Sequence, residues 1–374
     1  MRHPDYLPTG KPTVDKRRSW GVVDDSQKLG VGIVGMHEGL TMLVALRQSG
    51  QCQAVACCDL DDNKLTEAIE VAPHVRTTSS LDEMLTWSEV DIVAIYTPDH
   101  LHAEHIEKCF RAGKHVVCTK PLINDPSCAE QLVNLAISTQ CRLQVGQSTR
   151  FFEPFLQQHE MFAQGVFGEV ECYDAHYCHH MDWYYEKSPW SLKDTNWAYL
   201  GLSHPIDLVR LYLGDIKTVH AFGGSSSVAL SHGLPTSDIV TVNLKSSDGR
   251  IGRAFGNYGL RELPKARSLI EGFLMGSKGS SLARYPELRH TWAGDDGTEH
   301  EDDYEHAMTG YYSRHELKGM HYGEFCNIID SFGASIVSGR PNPPDLIEGL
   351  QTVLVMESIV RSVRTGQAVD VPHL

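Results

Sequence analysis

The side chains best suited to chemistry in this chain stand where short apolar runs end: His37, Asp59, Thr97, Asp99, His100, Thr119, Lys120 and Gln147. Runs with no polar alternation read as parallel strands covered on both faces, and ligands of an open parallel sheet bind beyond the carboxyl ends of its strands. Lys120 stands out, because Pro121 fixes it at the mouth of the run His115 to Cys118. Partial burial there disfavours the ammonium and moves a lysine toward proton transfer near neutral pH. A surface lysine ahead of a turn proline is the plainer alternative.

The elements that must position these groups begin with the stretch LGVGIVGMHEGLTMLVALRQSGQCQAVACCDL, residues 29–60. A strand over Val31 to Val34 enters a turn at Gly35, a helical pattern covers Leu40 to Leu46, and a second run, Ala54 to Cys58, ends in Asp59. Strand, glycine turn, helix and strand with a terminal acid make the first half of a dinucleotide-binding unit. The turn brings backbone close to a diphosphate, whose charge rests on the unpaired N–H groups of the helix start. Asp59 lies 24 positions after Gly35, close to the spacing of roughly 20 for an acid that binds the adenosine ribose hydroxyls.

The motif departs from G-x-G-x-x-G: His37 and Leu40 replace the second and third glycines, and Gly39 falls one place early. A β-carbon at position 37 restricts the approach of the phosphates, although the imidazole could donate to one. Asp61 and Asp62 follow Asp59, and Lys64 is the first base. A 2′-phosphate meets repulsion there, so NAD is expected rather than NADP.

Further along, a short helix is expected over Leu81 to Trp87 and strands over Asp91 to Tyr96, His115 to Cys118 and Arg142 to Val145. Helices are expected over Leu101 to Ala112, capped by Gly113, and over Ser127 to Thr139. This alternation predicts an α/β doubly wound parallel sheet. From Phe151 the strands lengthen: Thr218 to Val228, Ile239 to Lys245 and Ile251 to Tyr258, the last two joined by an Asp248-Gly249 hairpin. Helical patterns flank them at Pro154 to Gln164, His204 to Tyr212, Tyr322 to Ser338 and Pro344 to Thr365. The expected division is an N-terminal extension (1–28), a Rossmann domain (29–148) and a C-terminal α+β domain on a mostly antiparallel open sheet (149–374).

The segment Tyr173 to Trp197 gathers His176, His179 and His180 with Trp183, Tyr184, Tyr185, Trp190 and Trp197. Aromatic faces suit the C–H face of a sugar ring, and a packed aromatic cluster under a long loop suits them equally. Adjacent His179 and His180 on a strand point to opposite faces, so no metal site is expected.

Composition bounds the partners. A 374-residue chain should divide into two domains. The formal charge of −15 argues against nucleic acid or an anionic membrane as partner, and no apolar run approaches the roughly 18 residues of a membrane helix. The ten cysteines are scattered, with no C-x-x-C pair, which suits buried thiols in a cytoplasmic protein. The start of the chain has no apolar segment of an export signal.

The run VDIVAIYTPDHLHAEHIEKCFRAGKHVVCTKPL resembles the strand, Thr-Pro, helix and Glu-Lys-Pro segment of the Gfo/Idh/MocA oxidoreductases, which include glucose-fructose oxidoreductase and inositol dehydrogenase. The resemblance continues through GQSTRFFEP, GVFGEV and GLSHPIDLVRLYLG to PPDLIEGLQTVLVMESIVRSVRTGQAVDVP, and so from about residue 30 to the end. It implies a Rossmann domain, a C-terminal domain whose open sheet serves homodimer or homotetramer contacts, and NAD(P)-dependent chemistry on sugars, cyclitols or their derivatives. By matching motif, Gly35, Met36, His37 and Glu38 line the diphosphate, Asp59 the ribose, and Thr97, Pro98 and His102 the nicotinamide side. Thr119 and Gln147 complete the cofactor side. Lys120 touches the reacting hydroxyl, and His204 matches the histidine of an Asp-x-x-x-His motif; Arg150 and, from the aromatic segment, Trp190 and Trp197 are expected beside His204 on the substrate side. A cis peptide before the proline matching Pro121 occurs in several members.

Two departures matter. Thr119 replaces the acid of Glu-Lys-Pro, and Leu200 replaces the acid of Asp-x-x-x-His, so Tyr199, Asp194 and the group His176, His179, His180 and Asp182 are the candidates for its part. Asp207 reads as a structural partner. Three functions remain in view: a dehydrogenase acting on a ring hydroxyl, in which Lys120 polarises the oxygen and His204 takes the proton; a redox-assisted glycosidase whose NAD returns unchanged; and a non-catalytic NAD-binding regulator.

Overall fold

The computed structural model describes residues 20–260, 268–305, 321 and 323–374. The first 19 positions of the expected extension lie outside the described residues. Its remainder leans on the first sheet, where the Trp20 carbonyl accepts from Gln51 Nε2 at 3.2 Å and Val23 N–H donates to the Gly50 carbonyl at 2.9 Å.

The first sheet holds six parallel strands: β1 (Leu29–Val34), β2 (Cys52–Cys58), β3 (Arg76–Thr78), β4 (Ile92–Ile95), β5 (His115–Thr119) and β6 (Leu143–Gly146). Their order, β3-β2-β1-β4-β5-β6, places the topological switch between β1 and β4, where the crevice of a doubly wound sheet opens. Helices α1 (Met36–Leu46), α2 (Asp62–Val71), α3 (Leu81–Leu85), α4 (His102–Arg111) and α5 (Ala129–Thr139) connect them. Strands β4 and β5 are buried on both faces, which is why their sequences run apolar without alternation.

Helix α1 starts at Met36, four residues before the expected Leu40. Gly35 makes this possible: with φ of +85° it turns the chain from β1 straight into the helix, and a β-carbon there would lie 2.7 Å from the Tyr96 carbonyl. Only glycine satisfies both conditions.

The second sheet has nine strands in the order β14-β13-β12-β11-β7-β10-β9-β8-β15. They are β7 (Val170–His179), β8 (Ile216–Gly224), β9 (Ile239–Ser246), β10 (Ile251–Asn257), β11 (Ser268–Gly276), β12 (Ser280–Tyr285), β13 (Arg289–Ala293), β14 (Glu299–Asp303) and β15 (Val369–Asp370). All described pairings are antiparallel except β7 with β10. The Asp248-Gly249 hairpin forms, with Gly249 at φ +96°. The strand expected to reach Val228 stops at Gly224, because Ser226 Oγ accepts from Ala229 N–H and caps a short helix.

Helices α6 (Glu153–Ala163), α7 (Asp182–Lys187), α8 (Trp197–Leu213), α9 (Ser227–Ser231), α10 (Glu324–Ser338) and α11 (Leu346–Thr365) complete the described fold. Helix α8 begins at Trp197, seven residues before the expected His204, because Asn196 caps it through Ala198 N–H. It is buried on nearly every side between the second sheet and α11, so its residues reach the interface between the domains. Helix α10 packs on α1, and α11 on β6 and α5, so the C-terminal helices return to the first sheet.

No disulfide links the ten cysteines, and eight of them are buried. No helix among the described residues is long and apolar enough to cross a membrane.

Candidate active site

A cavity of about 610 Å³ opens over the carboxyl ends of β1, β4 and β5 and is closed from above by β7, α7, α8 and the start of α10. Its floor carries Gly35, His37 and Glu38 from the first turn, Asp59 after β2, Thr97, Pro98 and Asp99 after β4, and Thr119 and Lys120 after β5. His37 is exposed at its edge and does not fill it.

The floor fits a dinucleotide. Gly35 leaves room where a β-carbon would strike the Tyr96–Thr97 backbone, and the first turn of α1 points its N–H groups at the gap. The Asp59 carboxylate accepts from Met36 N–H at 2.5 Å and from Asp61 N–H at 2.9 Å, which orients it at the cavity wall with lone pairs to spare for ribose hydroxyls. Met36 offers only backbone here: its side chain is fully buried in the core beneath α1, and its N–H is held by Asp59.

On the far side of the floor, Thr97 Oγ1 and His105 Nδ1 meet at 3.0 Å, and burial takes His105 down to about 4. His102 lines the cavity but spends its polar atoms on the scaffold. Its Nδ1 faces the Pro121 carbonyl at 2.9 Å and its Nε2 the Thr97 carbonyl at 2.8 Å. The ring therefore joins the turn after β4 to the turn holding Lys120, which carries a cis Lys120–Pro121 bond.

Lys120 and His204 meet over this floor from different domains. Burial lowers the Lys120 ammonium from its ordinary range to about 8, against the opposing pull of Asp99 and Glu38. Its Nζ donates to the Leu200 carbonyl at 2.8 Å and lies 5.8 Å from the centre of the Tyr177 ring. Burial, reinforced by Lys120 and His321, holds His204 well below the usual imidazole range, so the ring is neutral at pH 7.

Its tautomer follows from the network behind it. Gln147 Nε2 donates to Ser203 Oγ at 2.8 Å and thereby turns its Oε1 to His204 Nδ1 at 3.0 Å, with Thr149 Oγ1 at 3.4 Å. Nδ1 thus carries the proton, and Nε2 is left as an acceptor. Gln147, expected on the cofactor side, is buried behind the histidine instead.

Two residues expected on the substrate side do not reach the cavity. Arg150 is buried beneath α8, where its guanidinium holds Asp207 in two bonds of 2.6 and 2.8 Å and Glu348 at 3.1 Å. A planar cation buried between helices is spent on that fork, and Asp207 is its structural partner. Trp197 is 1% exposed and packs against Tyr185 and Tyr258 at ring separations of 5.2 Å. The aromatic segment divides accordingly: Trp183, Tyr184 and Trp190 line the cavity, whereas Trp197 and Tyr185 form a core under it.

Of the groups considered for the missing acid, only His179 lines the cavity. Tyr199 is turned away to Glu357, His180 to the Leu260 carbonyl and Asp182 to His232. The acid that does face Lys120 is Asp99, 2% exposed, held by Thr195 Oγ1 and by Asn124 Nδ2 at 3.3 Å, and raised by burial to about 6. Its place three residues before His102 was a readable signal. His321, which also lines the cavity, carried none.

Comparison with known proteins agrees with this architecture. The description "oxidoreductase family, NAD-binding Rossmann fold" matches residues 29–147, and "oxidoreductase family, C-terminal alpha/beta domain" matches residues 159–371. The chain spans 28%, 60% and 30% of the lengths of the first three curated relatives, beginning with an uncharacterized oxidoreductase of Schizosaccharomyces pombe that is 36% identical over 28% of this chain. Inositol 2-dehydrogenase of Rhizobium meliloti (strain 1021) is 25% identical over 80% of this chain and 85% of that protein. A solved levoglucosan dehydrogenase in complex with NADH and levoglucosan shares the fold, with a TM-score of 0.79 and 20% identity over 93% of this chain and 100% of that one. With both family domains matched in order over most of its length, the chain belongs to the Gfo/Idh/MocA oxidoreductases and carries their NAD-binding Rossmann domain.

Proposed function

We propose that this protein is an NAD-dependent dehydrogenase that moves a hydride between nicotinamide and a ring hydroxyl of a sugar, cyclitol or glycoside. The observation that carries the reading is the convergence of Lys120 from the first domain and His204 from the second on one cavity whose floor has the shape of a diphosphate seat. Bound NAD supplies the hydride acceptor. The protein supplies position and a path for one proton. Lys120, an ammonium at neutral pH, donates to the substrate oxygen in place of its bond to the Leu200 carbonyl and polarises it. His204 Nε2 accepts the hydroxyl proton while Gln147 holds the opposite nitrogen.

Trp183, Tyr184 and Trp190 offer ring faces for the C–H face of a cyclic polyol. Asp59, Asp61 and Asp62 make the ribose end hostile to a 2′-phosphate, which favours NAD over NADP. The uncovered face of the second sheet presents Phe222, Ile251 and Phe273, apolar enough to receive a second copy in a homodimer or homotetramer. Mass spectrometry of the purified protein for retained NAD, followed by a panel of sugars and cyclitols monitored for NADH, tests the reading. No NADH from any member of such a panel, with NAD demonstrably bound, counts against it.

A further inference from the structure

His321 stands at φ +65°, a left-handed conformation that a residue other than glycine holds only where its surroundings demand it. Its surroundings are two acids. Nε2 lies 3.3 Å from Glu38 Oε1, and Nδ1 meets Glu324 Oε1. Glu324 is fully buried in the first turn of α10, and its second oxygen has no partner among the described residues, so the imidazole is the polar side chain it holds. Glu38 belongs to the first turn of α1 and lines the cavity. A carboxylate there sits where the N–H groups of the helix start would receive an anion, and it repels that anion.

We propose that His321 is a cofactor-positioning residue: its imidazole offsets the Glu38 charge beside the dinucleotide diphosphate and ties α10 of the second domain to that seat, slowing release of the dinucleotide. The inference rests on the dinucleotide reading of the cavity. It assigns to the second domain a part in holding the diphosphate. Glu38 also acts on Lys120, whose ammonium it favours, so the same pairing links the diphosphate end of the cavity to its reactive end.

The test is NADH binding by fluorescence titration and dissociation by stopped flow, on the full chain. His321→Asn keeps a residue type that tolerates the left-handed conformation but is too short to reach Glu38. It should weaken NADH about tenfold, mostly through faster dissociation. Adding Glu38→Gln to it should restore affinity to within about threefold of the original, since the repulsion is then gone. Glu324→Gln, which leaves His321 in place, should loosen the imidazole from behind and weaken NADH by about threefold. Unchanged NADH affinity and release in His321→Asn overturns the inference, as does a loss that Glu38→Gln fails to rescue, which would make the ring merely structural. If the unaltered protein binds no NADH, the dinucleotide reading itself falls, and that outcome is visible before any variant is made.

Discussion

Lys120 Nζ donates to the backbone carbonyl of Leu200 at 2.8 Å, so the position that lacks an acid still receives the ammonium, through its main chain. A carbonyl accepts a hydrogen bond but brings no charge, and it does little to offset the burial that lowers Lys120 to about 8. Of the two acids among the described residues that favour its ammonium, Asp99 and Glu38, Asp99 is the buried one, on the turn after the neighbouring strand β4.

The pH dependence of turnover follows from that arrangement. If the ammonium polarises the substrate oxygen, kcat for polyol oxidation stays level near neutrality and falls as pH rises through about 8, where Lys120 loses its proton. Asp99→Asn removes a charge that favours the ammonium and should move this falling limb to lower pH. A kcat that instead climbs through the same region would make Lys120 the base.

Gln147→Leu keeps the volume behind His204 but removes the acceptor for its Nδ1 proton. The ring is then free to take the other tautomer, and kcat should drop about 10- to 100-fold. NADH affinity should stay within about twofold, because the Gln147 side chain lies behind the histidine. A large loss of NADH binding in titration would return Gln147 to the cofactor.

Arg150→Ala leaves Asp207, 1% exposed, without its guanidinium. Breaking a buried pair from one side costs about 3 kcal/mol or more, to be read as an earlier unfolding midpoint in urea. Where folded protein remains, KM for substrate should be unchanged. A raised KM at undiminished stability would restore the substrate role expected from the sequence.

Asp59→Ser removes the acid that holds Met36 N–H at the cavity wall, where the proposed function puts the adenosine ribose. NAD should bind about tenfold more weakly and the ratio of NADP to NAD efficiency should rise, measured as kcat/KM for each cofactor. An unaltered ratio would show that Asp61 and Asp62, or something else, sets the preference.

Much of this architecture was legible because the first domain obeys simple periodicities. Apolar runs at β1, β4 and β5 mark buried parallel strands, and Asp59 after β2, Thr97 and Asp99 after β4, and Thr119 and Lys120 at the end of β5 line the cavity. The second domain was harder. Strands β12 to β14 are five or six residues each; β12 alternates burial, but β13 and β14 are mostly half-buried or exposed and β14 is almost all acidic, so no strong pattern marks them, and β7 was hidden in a segment read for its aromatics. Side-chain direction was the other gap. Arg150, Trp190 and Trp197 all carry groups that could contact a sugar, but tertiary packing puts Trp190 on the cavity, Trp197 in the core under it and Arg150 against Asp207 and Glu348. His321 reaches the cofactor floor through a tertiary contact with Glu38 across more than two hundred residues, which no local spacing reveals.

Hydride transfer from a ring carbon to nicotinamide under Lys120 and His204 is the step on which the proposed function stands. It is tested most directly by giving the protein NAD and a polyol deuterated at the reacting carbon, then examining the nicotinamide and the sugar by NMR. The account predicts deuterium in the NADH formed, a matching ketone on the ring, and loss of both in Lys120→Met with NAD binding retained. Cleavage of an aryl glycoside with no net NADH, or transfer undiminished in Lys120→Met, would contradict it.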